Sequence, residues 1–248
     1  MPRTPPGKHG SLMRFILALL LVFTASCTSR KVPVETIAPV SLRPAPPLRP
    51  APAPIVTPIS KGLIIIDPGH GGEDLGTQSN STPKYLEKHL NLATAQQLRT
   101  FLNQMGYATV MTRTKDVFIA LDKRAKFANE RNPKIFISVH YNSAPSKDAD
   151  GIEVFYYRSD KDPERTSQSK TLAQVVLAKI IAESKARSRG VKHGNFAVIR
   201  ETNMPAILVE GGFLTNDEEM DRIKDPAYVK KLAWAMARGV DEYLKGNP

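Results

Sequence analysis

Past residue 60 the chain alternates short, wholly apolar runs with longer stretches in which apolar residues return at helical intervals. Leu63 to Ile66 is an apolar run that ends in Asp67-Pro68-Gly69, a pattern that predicts a buried strand followed by a turn. From Leu86 to Met105, residues Leu86, Leu90, Ala93, Leu98, Phe101 and Leu102 keep helical spacing until Gly106 ends the stretch. The same reading predicts strands at 107–111, 134–139, 152–157 and 206–209, and helices at 120–131, 169–184, 216–223 and 226–244. Strands that are apolar throughout and alternate with helices predict one α/β domain. Its three layers would be a mostly parallel or mixed central sheet flanked by helices. In such sheets, sites gather at the carboxyl ends of strands.

The first 60 residues follow neither pattern. Arg3, Lys8 and Arg14 precede an apolar run from Phe15 to Phe23, and Thr24-Ala25-Ser26-Cys27 follows. A basic start, a short apolar stretch and small residues make residues 1–27 an export signal, too short for a comfortable transmembrane helix. Cys27, the one cysteine of the chain, sits where a bacterial lipoprotein signal is cleaved and lipidated. Thr24 departs from that pattern, where a larger aliphatic residue is usual, and an ordinary signal peptide with an incidental cysteine is the alternative. Lacking a second cysteine, the chain forms no internal disulfide. Residues 28–60 contain Pro44-Ala45-Pro46-Pro47 and Pro50-Ala51-Pro52-Ala53-Pro54. Such a segment favours polyproline II, a semi-rigid arm of about 3 Å per residue. Residues 61–248 then form the folded domain, expected to be exported to the periplasm or cell envelope and held to a membrane by a lipid.

Charge refines this division. The formal net charge is +11, of which the first 60 residues carry more than half, leaving +5 for the remainder. That remainder is only mildly basic and gives no case for a nucleic-acid partner. The N-terminal excess suits a tether beside an anionic membrane surface.

Three metal-ligand candidates stand near strand ends. His70 follows the first strand in Asp67-Pro68-Gly69-His70-Gly71-Gly72, and His140 follows the strand at 134–139. Glu87 begins the helix after the first strand. Two imidazoles and a carboxylate make a zinc site that leaves a fourth position for water. Taken singly, each histidine could equally be a surface group or a structural donor. Glu210 ends the last strand, in Ile207-Leu208-Val209-Glu210-Gly211-Gly212. If that strand runs parallel to the others, Glu210 reaches the same sheet edge and can serve as general base. The alternative is an acid that caps the following turn.

These motifs together resemble the zinc-dependent N-acetylmuramoyl-L-alanine amidase family, the amidase type 3 class. The resemblance runs through Ile65–Gly72, Glu87-Lys88, Thr112-Arg113, Ile137–Ser143 and Pro205–Asn216, and covers nearly all of 61–245 in order. It implies that His70, Glu87 and His140 bind Zn2+ and that Glu210 is the catalytic carboxylate. It also implies a peptidoglycan or muropeptide substrate, cut at the N-acetylmuramoyl–L-alanine amide. Certain cell-division members carry a long inhibitory insertion after the strand equivalent to 152–157. Here only Arg158 to Ser169 separates that strand from the next predicted helix, so no such helix is expected.

Two rival readings remain on the sequence. Ser81-Thr82-Pro83-Lys84 and Ser167-Gln168-Ser169-Lys170 have the Ser-x-x-Lys spacing of penicillin-sensitive serine DD-carboxypeptidases, with a loose Lys192-His193-Gly194 later. Pro83 argues against a helix in the first of them. A non-catalytic wall-binding protein is the other rival, although it would be expected to have lost one of the four site residues.

Overall fold

The computed structural model describes residues 60–246; the signal, Cys27 and nearly all of the linker lie outside the described residues. Six strands form one mixed sheet: β1 (Leu63–Pro68), β2 (Ala108–Met111), β3 (Ile135–Asn142), β4 (Ile152–Tyr156), β5 (Ser188–His193) and β6 (Ala206–Phe213). Their order across the sheet is β2-β1-β3-β6-β4-β5. The first four in that order are mutually parallel, whereas β4 runs antiparallel to β6 and β5 follows β4. Six helices complete the domain: α1 (Glu87–Gln104), α2 (Leu121–Asn129), α3 (Pro163–Ser184), α4 (Ala197–Arg200), α5 (Asp217–Ile223) and α6 (Pro226–Gly246).

Side chains alternate across a strand, and the two faces of this sheet are treated differently. On one face Ile64, Ile66, Ile137, Val139, Val154, Ile207 and Val209 pack beneath α1, α3 and α6, all fully buried. Each such aliphatic side chain contributes roughly 1.5–3 kcal/mol relative to exposure. On the other face a smaller cluster of Ile65, Phe136, Ala206 and Leu208 meets Ala128 of α2 and Val198 and Ile199 of α4. Continuing along that same face, the strands carry Asp67, Ser138, His140 and Glu210.

Several predicted boundaries move. The structure adds β5 and the single-turn α4, which the apolar pattern of the sequence does not predict. It starts α3 at Pro163, six residues before the predicted Ser169: Asp162 accepts from Arg165 N, and Pro163 occupies the first helical position. The connection from β4 to α3 is therefore only residues 157–162. Among the described residues no helix is long and apolar enough to cross a membrane.

Candidate active site

The site lies at the carboxyl end of β1, β3 and β6, and it begins with how the chain leaves β1. His70 has a left-handed backbone, φ 57°, between two glycines. A Cβ at Gly69 would collide with the His140 ring, so only glycine lets the turn lie against that imidazole. Two arginines hold this turn. Arg124 donates to Pro68 O and His70 O, each at 2.8 Å, and to Asp67 Oδ1 at 2.9 Å. Arg113 donates to Pro68 O at 3.0 Å, Gly69 O at 2.7 Å and Lys88 O at 2.8 Å. Buried Asp67 also accepts from Thr112 and Ser138, so charge and hydrogen bonds are satisfied together.

Glu87 is the first residue of α1 and is almost fully buried. Its Oε1 lies 3.0 Å from His140 Nδ1, and its Oε2 lies 3.1 Å from His70 Nε2. Thr77 N, Asn91 Nδ2 and Tyr141 N also donate to it. Burial alone would raise the Glu87 pKa, but His140 and His70 hold it well below the carboxylate range. Burial pulls the His70 pKa down, yet Glu87 and Asp74 together leave it raised to about 8. Asp74 accepts from His70 Nδ1 at 2.8 Å, the carboxylate–imidazole contact that orients metal-binding histidines.

Glu210 sits opposite His140 in the β3–β6 register. Its Oε2 is buried and has no hydrogen-bond partner among the described residues. Burial raises its pKa to about 7, with neighbouring Glu87 and Glu153 pushing the same way and His140 opposing. A cavity of about 600 Å3 opens over these groups. His70, Glu87, His140 and Glu210 line it, together with Phe118, Leu121, Phe196, Asn142 and Ser143.

The structure thus brings all four predicted site residues into one cavity. The donor atoms of His70, Glu87 and His140 lie within 4.8 Å of one another. Two imidazole nitrogens and a carboxylate oxygen are the donor types of a three-ligand zinc site. This donor set fits a metal ion.

The Ser-x-x-Lys alternatives are not assembled for nucleophilic chemistry. Ser81 Oγ bonds to Pro83 O and pairs with Ser79 Oγ, while Lys84 donates to Ser79 O. Ser167 and Lys170 lie on the exposed side of α3, and Lys192 is paired with Glu153. Sequence reasoning missed the supporting residues Arg124, Asp74 and Glu153. For the last, a glutamate inside the apolar run Ile152-Glu153-Val154 was the available signal.

Comparison with known proteins decides the family. The model of the N-acetylmuramoyl-L-alanine amidase family, Amidase_3, matches residues 64–242. The chain belongs to this amidase family. It is 35% identical over 186 residues to the uncharacterized protein YqiI of Bacillus subtilis, covering 75% of this chain and 86% of that one. It is 32% identical to the Staphylococcus epidermidis protein named probable cell wall amidase LytH, covering 75% of this chain and 60% of LytH. Among solved structures, the N-acetylmuramoyl-L-alanine amidase of Clostridium difficile 630 superposes with a TM-score of 0.71 at 40% identity, covering 75% of this chain and 98% of that one.

Proposed function

We propose that this protein is a zinc-dependent N-acetylmuramoyl-L-alanine amidase that hydrolyses the amide joining the glycan strand of peptidoglycan to its stem peptide. One observation carries the reading: an unpartnered, buried Glu210 carboxylate oxygen beside a His70–Glu87–His140 donor cluster, in a member of the amidase family. His70, Glu87 and His140 would hold the zinc. A zinc ion bound there would supply Lewis acidity toward the amide carbonyl and a bound water. Glu210 takes the proton of the attacking water and delivers it to the leaving nitrogen of L-alanine, a role suited to a buried carboxylate whose pKa burial pushes up. Asp74 keeps His70 turned toward Glu87, and the Arg113 and Arg124 guanidiniums fix the turn that presents it.

The test is digestion of purified peptidoglycan by the purified protein, with products identified by mass spectrometry. Stem peptides with a new L-alanine amino terminus should appear, vanish with chelator and return with zinc. Loss of only the terminal D-alanine would instead promote the serine-peptidase reading, and binding without cleavage the non-catalytic one.

The same reading assigns residues 1–27 as a lipoprotein signal, Cys27 as the lipidated residue and 28–60 as a spacer, giving an exported cell-envelope enzyme held at a membrane. Incorporation of a fatty-acid probe, abolished by Cys27→Ser, tests the anchor. Retained incorporation in that variant overturns it.

A further inference from the structure

A further buried glutamate, Glu153, bonds to the cavity-lining Asn142 and has no part in the mechanism above. Glu153 lies near the start of β4, 4% exposed, directly opposite Glu210 in the β4–β6 register. It accepts from Arg189 Nε at 3.0 Å, from Lys192 Nζ, and from Asn142 Nδ2 at 2.7 Å. The two cations already compensate its charge, so the bond to Asn142 adds orientation and not neutralisation.

Asn142 ends β3 two residues after His140 and lines the cavity. An asparagine amide can turn either way, but a carboxylate between two cations offers acceptors only. Glu153 therefore fixes Nδ2 toward itself, and Oδ1 turns to accept from Ser143 N at 2.8 Å. The β3–β6 ladder shifts register between His140 and Asn142, which sets this residue apart from a regular pleat beside Glu210. With one amide hydrogen on Glu153, the other has no acceptor among the described residues.

We infer that Asn142 donates this remaining N–H to an amide carbonyl oxygen of the substrate, and that Glu153, backed by Arg189 and Lys192, is its positioning residue. The inference rests on the amidase reading and adds a contact that aligns the muramoyl-peptide on the Glu210 side of the cleft. Its energetic signature is transmission. The contribution of Glu153 to turnover should pass through Asn142 and vanish when Asn142 is gone.

The experiment measures kcat and KM on a soluble muramoyl-peptide, with zinc content and thermal midpoint, for wild type, N142A, N142D, E153A, E153Q and N142A/E153A. N142A and E153A should each lower kcat/KM about tenfold to hundredfold at unchanged zinc content. The double variant should be no worse than N142A. E153Q keeps an oxygen acceptor for Asn142 and should retain most activity. N142D, isosteric but without the N–H, should behave as N142A. Should E153A fail to fold, the two Asn142 variants carry the test. An N142A enzyme within twofold of wild type, or losses that multiply independently in the double variant, would overturn the inference. Wild-type protein that releases no L-alanine-terminated stems overturns the amidase reading instead. Comparing acetylated with de-N-acetylated substrate locates the carbonyl: a penalty lost on the latter assigns the sugar acetamido group, and a penalty kept assigns the peptide.

Discussion

The two faces of the sheet are built from the same strands and differ by one step of the pleat. On the face covered by α1, α3 and α6, Ile64, Ile66, Ile137, Val139, Val154, Ile207 and Val209 are aliphatic and closed to water. The opposite face has α2 and the single turn α4 above it, and toward their carboxyl ends its strands carry Asp67, Ser138, His140 and Glu210. Thin cover leaves a cleft, and polar residues near the strand ends fill its floor. The comparison teaches that the thickly packed face supplies the stability that lets the other bury Glu210 without a hydrogen bond. Within the cleft the two carboxylates diverge again. Glu87 has five donors and stays ionised, whereas Glu210 has an oxygen with none and is pushed up to about 7.

The sharpest way to break this contrast is to remove a ligand from the thin face. His140→Ala should lose both metal and activity to background, because two remaining ligands rarely hold zinc; elemental analysis alongside turnover checks it, and a zinc-replete active variant sinks the assigned triad. Glu210→Gln comes next: turnover should fall by about 10²- to 10⁴-fold with zinc content near normal. Loss of metal in that variant would mean the carboxylate is a ligand and the division of roles is wrong.

Substitution on the thick face should act on stability and leave the chemistry alone. Ile137→Ala, at a fully buried position, should cost about 2–5 kcal/mol in urea unfolding while the folded fraction keeps its zinc and specific activity. A comparable loss of specific activity would show that the faces are not independent.

The smallest effect is a pH-dependent one in metal-free protein. The folded pKa of Glu210, about 7, lies above its ordinary 4.5. The stability tied to its neutral form is therefore fully present below about 4.5 and is lost as pH rises through about 7. Glu210→Gln should escape that loss and by pH 8 be more stable than wild type, the advantage fading toward pH 4.5. Equal unfolding midpoints at pH 8 would show that burial does not strain this carboxylate.

The thick face was the easier to read in the sequence. Runs such as Leu63–Ile66 and Ala206–Val209 are apolar because both their faces meet protein, and that pattern needs no partner to be recognised. His70, Glu87, His140 and Glu210 were legible from their places at element ends and from the family motif. Strand β5 was not, since Ser188-Arg189-Gly190-Val191-Lys192-His193 is polar and lies at the sheet edge, where one side needs no partner. The early start of α3 had a visible signal in Asp162-Pro163, outweighed by the polar stretch that follows. Arg124 reads as an ordinary helix cation until the fold shows which carbonyls surround it. The reversal of β4 could not be read at all, because apolar pattern carries no strand direction.

That reversal has a cost in assembly. β4 brings the beginning of a strand to the chemistry, so the placement of Glu153 depends on how β4 aligns with β6 across some fifty intervening residues. A slip of one residue would turn Glu153 onto the face packed by Leu172 and Val176 and hand Ile152 or Val154 to the cleft. Such a chain could retain its helices and its strand content, and bulk spectroscopy would pass it as native. The alternation of Ile152, Glu153 and Val154 guards against this, because one register buries a compensated carboxylate and the slipped one buries it among aliphatic side chains. The strand thus proofreads its own alignment before any substrate arrives.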